Sequence, residues 1–378
     1  MTNKKKQSDL PACAVLLAGG RGTRFWPRSR TRTPKQLLNI VGKETMLEQT
    51  VARLRPLIPP DRIWTVTNAE QAVALRKQIP AASRKRVLTE PIGRNTAAAI
   101  ALAALHVRDA AGGDALMAVL PADHYIAQAD EYRKIVSAAL EAAREPGRMV
   151  VLGIPPTRPD TGFGYVERMG EALVGRSFPV FAVKRFTEKP ALELAKEYIA
   201  LGNYHWNAGM FFWRVSTFLD NLKTFLPKTH AALEKLADSI RTRNYERSLR
   251  RIYPKLENIS VDYAILEPAT KQTGAPHVFV IPAEVGWSDI GSWGAVYDLL
   301  LKAGDADPNG NIFVTPVYAI DGFGNLVSSG GKFTALIGVR DLVIVETPDA
   351  MLVCPRDRAQ DVAKIVKWLE EQRRKDLL

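Results

Sequence analysis

Leu16-Leu17-Ala18-Gly19-Gly20-Arg21-Gly22-Thr23-Arg24-Phe25-Trp26-Pro27, followed after six residues by Pro34-Lys35, is the stretch that decides how the rest of the chain is read. The apolar run Ala12–Leu17 before it reads as a buried strand. Glycines directly after a strand let backbone N–H groups approach a phosphate chain without a Cβ in the way. No Lys-Ser/Thr follows the glycines, so this is not a P-loop, and the third glycine of a dinucleotide fingerprint is missing. What remains is a glycine loop with two cations nearby, Arg24 and Lys35, a set suited to a triphosphate whose outer groups leave as pyrophosphate. The bland reading, a tight turn with surface basic residues, fits a bare Gly-x-Gly better than it fits the whole string.

Working outward, short aliphatic runs alternate with helical stretches, the pattern of a mostly parallel sheet flanked by helices. Strands are predicted at Ala12–Leu17, Ile63–Thr67, Arg86–Thr89, Ala115–Leu120 and Met149–Ile154, with helices at Thr45–Leu54, Ala69–Ile79, Thr96–Val107 and Glu131–Arg144. Asn95-Thr96 carries side-chain oxygens suited to a helix start. Further strands follow near Val180–Phe186 and Ala208–Trp213, then helices at Val215–Leu226, Thr229–Ile252 and Ser292–Leu301. The run from Gly304 to Gly310 is dense in turn formers. Beyond it, short strands between glycine-rich turns end in an amphipathic helix at Asp357–Leu369, with a spacing that suits a few turns of a β-helix. The expected organisation is a basic tail at 1–10, an α/β catalytic domain at 11–303 and a small β-rich domain at 304–378.

Composition narrows the class. A chain of 378 residues with 46% hydrophobic and 24% charged residues is long enough for a substantial core and is neither disordered nor disulfide-stapled. The longest apolar stretches, such as Thr96–Val107, fall short of the roughly 20 residues of a membrane-spanning helix. Cys13 and Cys354 lie far apart in strand-like runs, and a pair of buried thiols in a reducing cytoplasm is the expectation. Lys4–Lys6 ahead of Ala12–Ala18 imitates a signal peptide, but Asp9 and Pro11 interrupt it. The net charge of +12 raises nucleic acid as a partner, yet the basic residues are spread along the chain without a nucleic-acid-binding motif, and small phosphorylated substrates account for them equally well.

The glycine string with Phe25-Trp26-Pro27 and Pro34-Lys35-Gln36 resembles the signature of the sugar-1-phosphate nucleotidyltransferases, in particular their mannose-1-phosphate guanylyltransferase branch. Further matches run along the chain: Glu90–Ala97, Leu120-Pro121-Ala122-Asp123-His124, Thr161–Val166, Phe186–Pro190, Trp206–Phe211, Val261–Ala264 and Trp287–Gly291. The resemblance implies a Rossmann-like nucleotidyltransferase fold and a set of roles. Leu17, Ala18, Gly19, Gly20, Arg21, Gly22 and Thr23 would line the nucleotide, with Glu90, Arg94, Asn95 and Thr96 on its flank. Asp123 and Asp289 would hold Mg²⁺, a hard cation that takes carboxylate and phosphate oxygens. His124 beside them reads as structural, since Mg²⁺ seldom selects imidazole. Lys189 would bind the sugar phosphate, while Gly164, Glu188, Asn207 and Asp262 would receive the hexose. Trp26, Trp206, Trp213, Trp287 and Trp293 are read as packing residues first.

The implied reaction converts GTP and α-D-mannose 1-phosphate to GDP-mannose and pyrophosphate, with Arg24 and Lys35 on the departing group. The expected setting is the cytoplasm, as a homodimer, with neither nucleic acid nor membrane as partner. A glucose-1-phosphate thymidylyl- or uridylyltransferase would share the phosphate chemistry. A catalytically silent relative acting as a regulatory subunit is the competitor from another class. The segment after Gly304 is too short for the phosphomannose isomerase domain that some such relatives carry, so isomerase activity is not expected.

Overall fold

The computed structural model describes residues 10–378, so the expected basic tail lies outside the described residues except for Leu10. Strands β1 (Ala12–Leu17), β2 (Ile63–Asn68), β3 (Val87–Glu90) and β4 (Leu116–Pro121) pair in parallel in the spatial order 3-2-1-4. A two-residue strand, β5 (Tyr125–Ile126), stands outside this sheet. The sheet continues from β4 through β9 (Tyr204–Arg214), β6 (Met149–Ile154), β10 (Val278–Pro282) and β8 (Phe181–Thr187) to β7 (Tyr165–Met169). Only β8 and β9 run against the other strands, since every antiparallel pairing in the sheet involves one of the two. β4 and β6 are buried almost throughout, which is why they read as uninterrupted apolar runs, as strands covered on both faces do.

One face of the sheet packs against α1 (Met46–Leu54), α2 (Ala69–Gln78), α4 (Ala129–Ala142) and α5 (Leu192–Leu201). The other carries α3 (Asn95–Ala111), α6 (Val215–Phe225), α7 (Pro227–Ala237), α8 (Tyr245–Ile252) and a π-helical turn, Asp262–Leu266, that runs into α9 (Glu267–Ala269). Ala97 to Leu105 are all buried, because alanines let α3 lie close on the sheet while its neighbours cover its back. Among the described residues no helix is long and apolar enough to cross a membrane. The expected single helix at Thr229–Ile252 is two helices: Ser239 Oγ and Thr242 Oγ1 bond to the carbonyls of Leu236 and Ser239, competing with the helical ladder at the break. Strand β10 was not anticipated; it is a short run that ends at Pro282. Cys13 is buried as expected and burial pushes its thiol up to about 11, whereas Cys354 is only half-buried.

A short strand β11 (Trp287–Ser288) pairs antiparallel with β5. Helix α10 (Trp293–Ala303) then leads to the C-terminal segment. There β12 (Ile312–Phe313), β14 (Leu326–Ser328) and β16 (Leu342–Glu346) stack in parallel and β17 (Met351–Pro355) closes the sheet antiparallel, while β13 (Val317–Ile320) pairs in parallel with β15 (Thr334–Ile337). These are coils of a short β-helix, and helix α11 (Val362–Glu371) follows. Buried Asn311 and Asn325, 14 residues apart, form a ladder through it: Asn325 donates from N and Nδ2 to Asn311 Oδ1 at 3.0 and 2.9 Å, and its own Oδ1 accepts from Leu342 N at 3.0 Å. Asn325→Ala would leave several buried backbone and side-chain groups unpaired. It is expected to cost about 2–4 kcal/mol in urea unfolding of the whole chain; an unchanged midpoint would refute the ladder's structural role.

Candidate active site

The site lies at the carboxyl ends of the parallel strands, where ligands collect in open α/β sheets. Leu17 ends β1, and its carbonyl accepts from Ala122 N at 3.1 Å, joining the glycine loop to the segment that carries Asp123. The loop is shaped from beneath: Gln36 Nε2 donates to the carbonyls of Ala18 (2.7 Å) and Gly20 (3.1 Å). Gly19 lies against Glu90, whose Oε2 would stand 3.3 Å from a Cβ there. Gly22 has φ +62°, and a Cβ on it would collide with Lys35, so both conformation and close packing require glycine. Thr23 opens a single 3₁₀ turn, Thr23–Phe25, that directs Arg24 toward Asp289.

Lys35, 5% exposed, is the hub. Its Nζ lies 3.0 Å from Asp123 Oδ2 and 2.5 Å from the Asp289 carbonyl oxygen. Burial opposes the charge of Asp123, but Lys35 and His124 hold its carboxyl below the ordinary value. Asp289 is shifted up, chiefly by burial, with Lys35 and Arg24 pulling the other way and Asp123 and Asp160 adding repulsion. Thus Arg24, Lys35, Asp123 and Asp289 share one small volume. The device that unites them is the β5–β11 pair, in which Ile126 faces Trp287 and Tyr125 faces Ser288, placing His124 next to Asp289. His124 is half-buried, and desolvation lowers its basicity to about 4; its Nδ1 accepts from Trp287 Nε1 at 3.1 Å.

A second cluster gathers the other motifs. Gly164 leaves no room for a Cβ between itself and the Glu188 carboxylate, and its carbonyl accepts from Asn207 N at 2.8 Å. Lys189 Nζ binds Glu188 Oε1 at 2.6 Å, and Asn207 Nδ2 binds Asp262 Oδ1 at 2.8 Å. Burial opposes the charge of Lys189, but Glu188 and Asp262 hold it above its ordinary value. Asp262 is raised to about 6 by burial and then by the Glu188 charge. The loop from Asp160 to Gly164 links the clusters, with Phe163 between Trp206 and Trp287 at ring separations of 5.1 and 5.4 Å. Asp160 and Phe163 were not singled out from the sequence, although both lie within or beside the Thr161–Val166 motif.

The expected nucleotide flank is brought only partly to the loop. Glu90 reaches Gly19 and accepts from Tyr253 Oη at 2.7 Å; burial pushes its carboxyl up. Arg94 spends its guanidinium on the Pro254 carbonyl, and Thr96 Oγ1 accepts from Val261 N at 2.9 Å. Both therefore brace the segment that presents Asp262. Asn95 is exposed at φ +61°, and its Oδ1 takes only the adjacent Thr96 N–H.

The sequence carried no sign of a further set of contacts. The C-terminal segment grips the glycine loop: Arg21 pairs with Glu370 at 2.6 Å, Arg24 donates to Gln360 Oε1 at 2.8 Å, and Trp26 Nε1 donates to the Leu377 carbonyl at 2.9 Å. Phe25, Trp26, Ile290 and Trp293 share one apolar core with Leu326, Val345, Val366 and Leu369. These partners lie more than 300 residues from the loop, beyond the reach of any local pattern.

Residues 13–305 match the nucleotidyl transferase family model, and residues 316–369 match the MannoseP isomerase/GMP-like beta-helix domain. The chain belongs to the nucleotidyl transferase family. It is 37% identical to the alginate biosynthesis protein AlgA of Pseudomonas aeruginosa over 374 residues, 96% of this chain and 73% of that one. It is likewise 37% identical to the mannose-1-phosphate guanylyltransferase RfbM of Salmonella typhimurium over 366 residues, covering 96% of this chain and 73% of the relative. Among solved structures, one from Thermus thermophilus, described as a mannose-1-phosphate geranyltransferase, superposes with a TM-score of 0.82 at 35% identity, covering 96% of this chain and all of that one.

Two measurements check this geometry. Replacing Gln360 and Glu370 together by alanine removes exposed contacts worth little to stability, so the melting temperature should hold while turnover falls roughly tenfold through loss of loop placement. Unchanged turnover would show that the loop keeps its shape unaided. Asp262→Asn removes a carboxyl whose folded-state value is raised from 3.8 to about 6. Ionising that group costs the folded form stability above pH 6 and nothing below about pH 4. The variant should therefore be more stable than the parent at pH 7.5, by up to about 3 kcal/mol, with the gain vanishing as the pH falls from 6 to 4.

Proposed function

We propose that the chain transfers GMP from GTP to α-D-mannose 1-phosphate, forming GDP-mannose and pyrophosphate. The observation that carries the reading is the convergence of Arg24, Lys35, Asp123 and Asp289 beside a glycine loop, with the Gly164–Glu188–Lys189–Asn207–Asp262 cluster on the far side of the Asp160–Gly164 loop. The mannose-1-phosphate guanylyltransferase RfbM, aligned along 96% of this chain, supports the choice of sugar and base.

In the proposed reaction an oxygen of the sugar phosphate attacks the α-phosphorus of GTP, a new P–O bond forms, and the α–β bridge breaks with its electron pair leaving on pyrophosphate. A phosphate monoester is largely dianionic at pH 7, its second pKa being about 6, so no dedicated base is required. The obstacle is repulsion between two polyanions. Lys189 holds the attacking phosphate, with Glu188, Asn207 and Asp262 accepting from or donating to the hexose hydroxyls. Gly164 gives the ring close approach. The loop from Ala18 to Thr23 receives the nucleotide on its backbone amides, and Arg24 with Lys35 balances the charge that develops on the departing group. Glu90 sets the floor of the loop at Gly19.

Asp123 and Asp289, near enough for their charges to repel, offer an oxygen-only donor pair suited to Mg²⁺, a cation that completes its shell with water and substrate phosphates. Asp123 and Asp289 would hold it, and its chemistry there is neutralisation of the two phosphates. The reading takes residues 11–303 as the catalytic unit and 304–378 as an appended one, in a cytoplasmic homodimer.

The test is pyrophosphate release across a matrix of GTP, dTTP and UTP with mannose 1-phosphate and glucose 1-phosphate. GTP with mannose 1-phosphate should give the highest kcat/KM. A preference for dTTP or UTP with glucose 1-phosphate would transfer the protein to another branch, and silence with every pair would mark a regulatory relative. Asp123→Ala and Asp289→Ala should each lower turnover on the order of 10²–10³-fold with unchanged circular dichroism.

A further inference from the structure

We infer that the protein carries a second, non-catalytic site for a phosphorylated small molecule, in the groove behind the glycine loop. A cavity of about 1370 Å³ opens there, walled by Arg21, Arg30 and Arg32 on one side, by Lys77 and Val73 of α2 on another, and by Lys375 of the C-terminal segment. Arg21 is the one residue of the nucleotide loop on its wall, and none of Arg24, Lys35, Asp123, Lys189 and Asp289 lines it, so the groove adjoins the loop without including the groups that act on the transferred phosphate. Glu70 is the one acidic side chain on its wall.

Only part of the charge on this wall is spent internally. Arg21 and Arg30 have partners, Glu370 at 2.6 Å and Asp349 at 2.8 Å. Among the described residues, Arg32, Lys77 and Lys375 have no side-chain hydrogen-bond or ion-pair partner, and all three are exposed. The fold thus draws cations from three distant parts of the chain to one concave surface, an arrangement that repels itself and concentrates anions. Phosphoryl oxygens offer several acceptors at short spacing, which suits cations on opposed walls. The groove exceeds the roughly 300–1,000 Å³ of typical small-molecule sites, and exposed Val73 supplies an apolar strip beside the cations for the base or sugar of a nucleotide.

Occupancy reaches the catalytic loop through Arg21. Its guanidinium both lines the groove and ties the loop to α11 through Glu370. A phosphate in the groove competes with Glu370 for that cation, loosens the tie and lowers turnover, a coupling between two sites that share one element.

The test uses the full chain with the catalytic site filled by saturating GDP-mannose, at fixed free Mg²⁺; it rests on the proposed reaction only for the choice of that blocker. Calorimetric titration with tripolyphosphate should show one equivalent bound, weakened at least about tenfold in the Arg32→Ala/Lys77→Ala/Lys375→Ala variant. In turnover assays tripolyphosphate should lower kcat of the parent at saturating GTP and leave the triple variant unaffected. The variant's kcat without tripolyphosphate should equal the parent's, which also shows that it folds. ATP binding more tightly than tripolyphosphate would identify a nucleotide as the natural ligand class, and equal affinities a free polyphosphate. Absence of binding with the catalytic site filled, or an affinity indifferent to the three substitutions, overturns the proposal. Failure of GDP-mannose itself to bind would count against the reaction alone, since comparison of parent and triple variant tests the groove with or without the blocker.

Discussion

The Lys35 ammonium, set between the Asp123 carboxylate and the Asp289 carbonyl, is the contact on which the remaining geometry rests. Two acidic side chains brought together at a half-buried site repel each other, and desolvation penalises both charges. The protein meets that cost in two ways. A cation is buried beside them, its stem pressed against Gly22 where no Cβ fits. The acidic segments are also held by covalent neighbours in the β5–β11 pair, so that backbone hydrogen bonds, not the charges themselves, set the approach of Asp123 and Asp289. Residual repulsion is what a divalent cation and a phosphate substrate chain can exploit.

The glycine loop has almost no regular structure of its own, one 3₁₀ turn, and a segment of that kind does not hold a side chain in place without support. The support comes from the C-terminal β-helix and its following helix. Phe25 and Trp26 are buried in a core to which Val345, Val366 and Leu369 contribute, and Arg21 and Arg24 end on Glu370 and Gln360. The appended segment is therefore part of how the loop is shaped, and the groove that it forms with α2 lies on the back of the same loop.

Half of the positive-φ positions outside glycine among the described residues fall at the motifs, and Asp321, Asp341 and Arg373 of the C-terminal segment carry the rest. Asn95, Lys189 and Ile290 all have positive φ, each inside or beside a motif, a conformation that costs energy for residues with a Cβ and persists only where the surroundings impose it. Asp262, raised to about 6, is another local cost kept within the cluster that joins it to Glu188, Lys189 and Asn207. Stability is given up at such positions in exchange for placement.

Much was legible in the linear chain because its signals are local. Strand β1 running into Gly19-Gly20-Arg21-Gly22, the buried runs of β4 and β6, the alanine-rich α3 and the turn-dense stretch after Gly304 follow from periodicity and backbone freedom over a few residues. The two-helix break at Ser239–Thr242 and strand β10 escaped, since a short apolar run looks alike in either structure until its neighbours are known. So did the duties of Arg94 and Thr96, which face the 254–261 segment, and the roles of Gln360 and Glu370. The residue types of the site, glycines, cations and carboxylates in their motifs, were thus determined by the sequence alone. Which of them meet was decided by tertiary structure, because an ion pair or a shared core between positions hundreds of residues apart depends on sheet order and strand register, and those arise only when the whole chain packs.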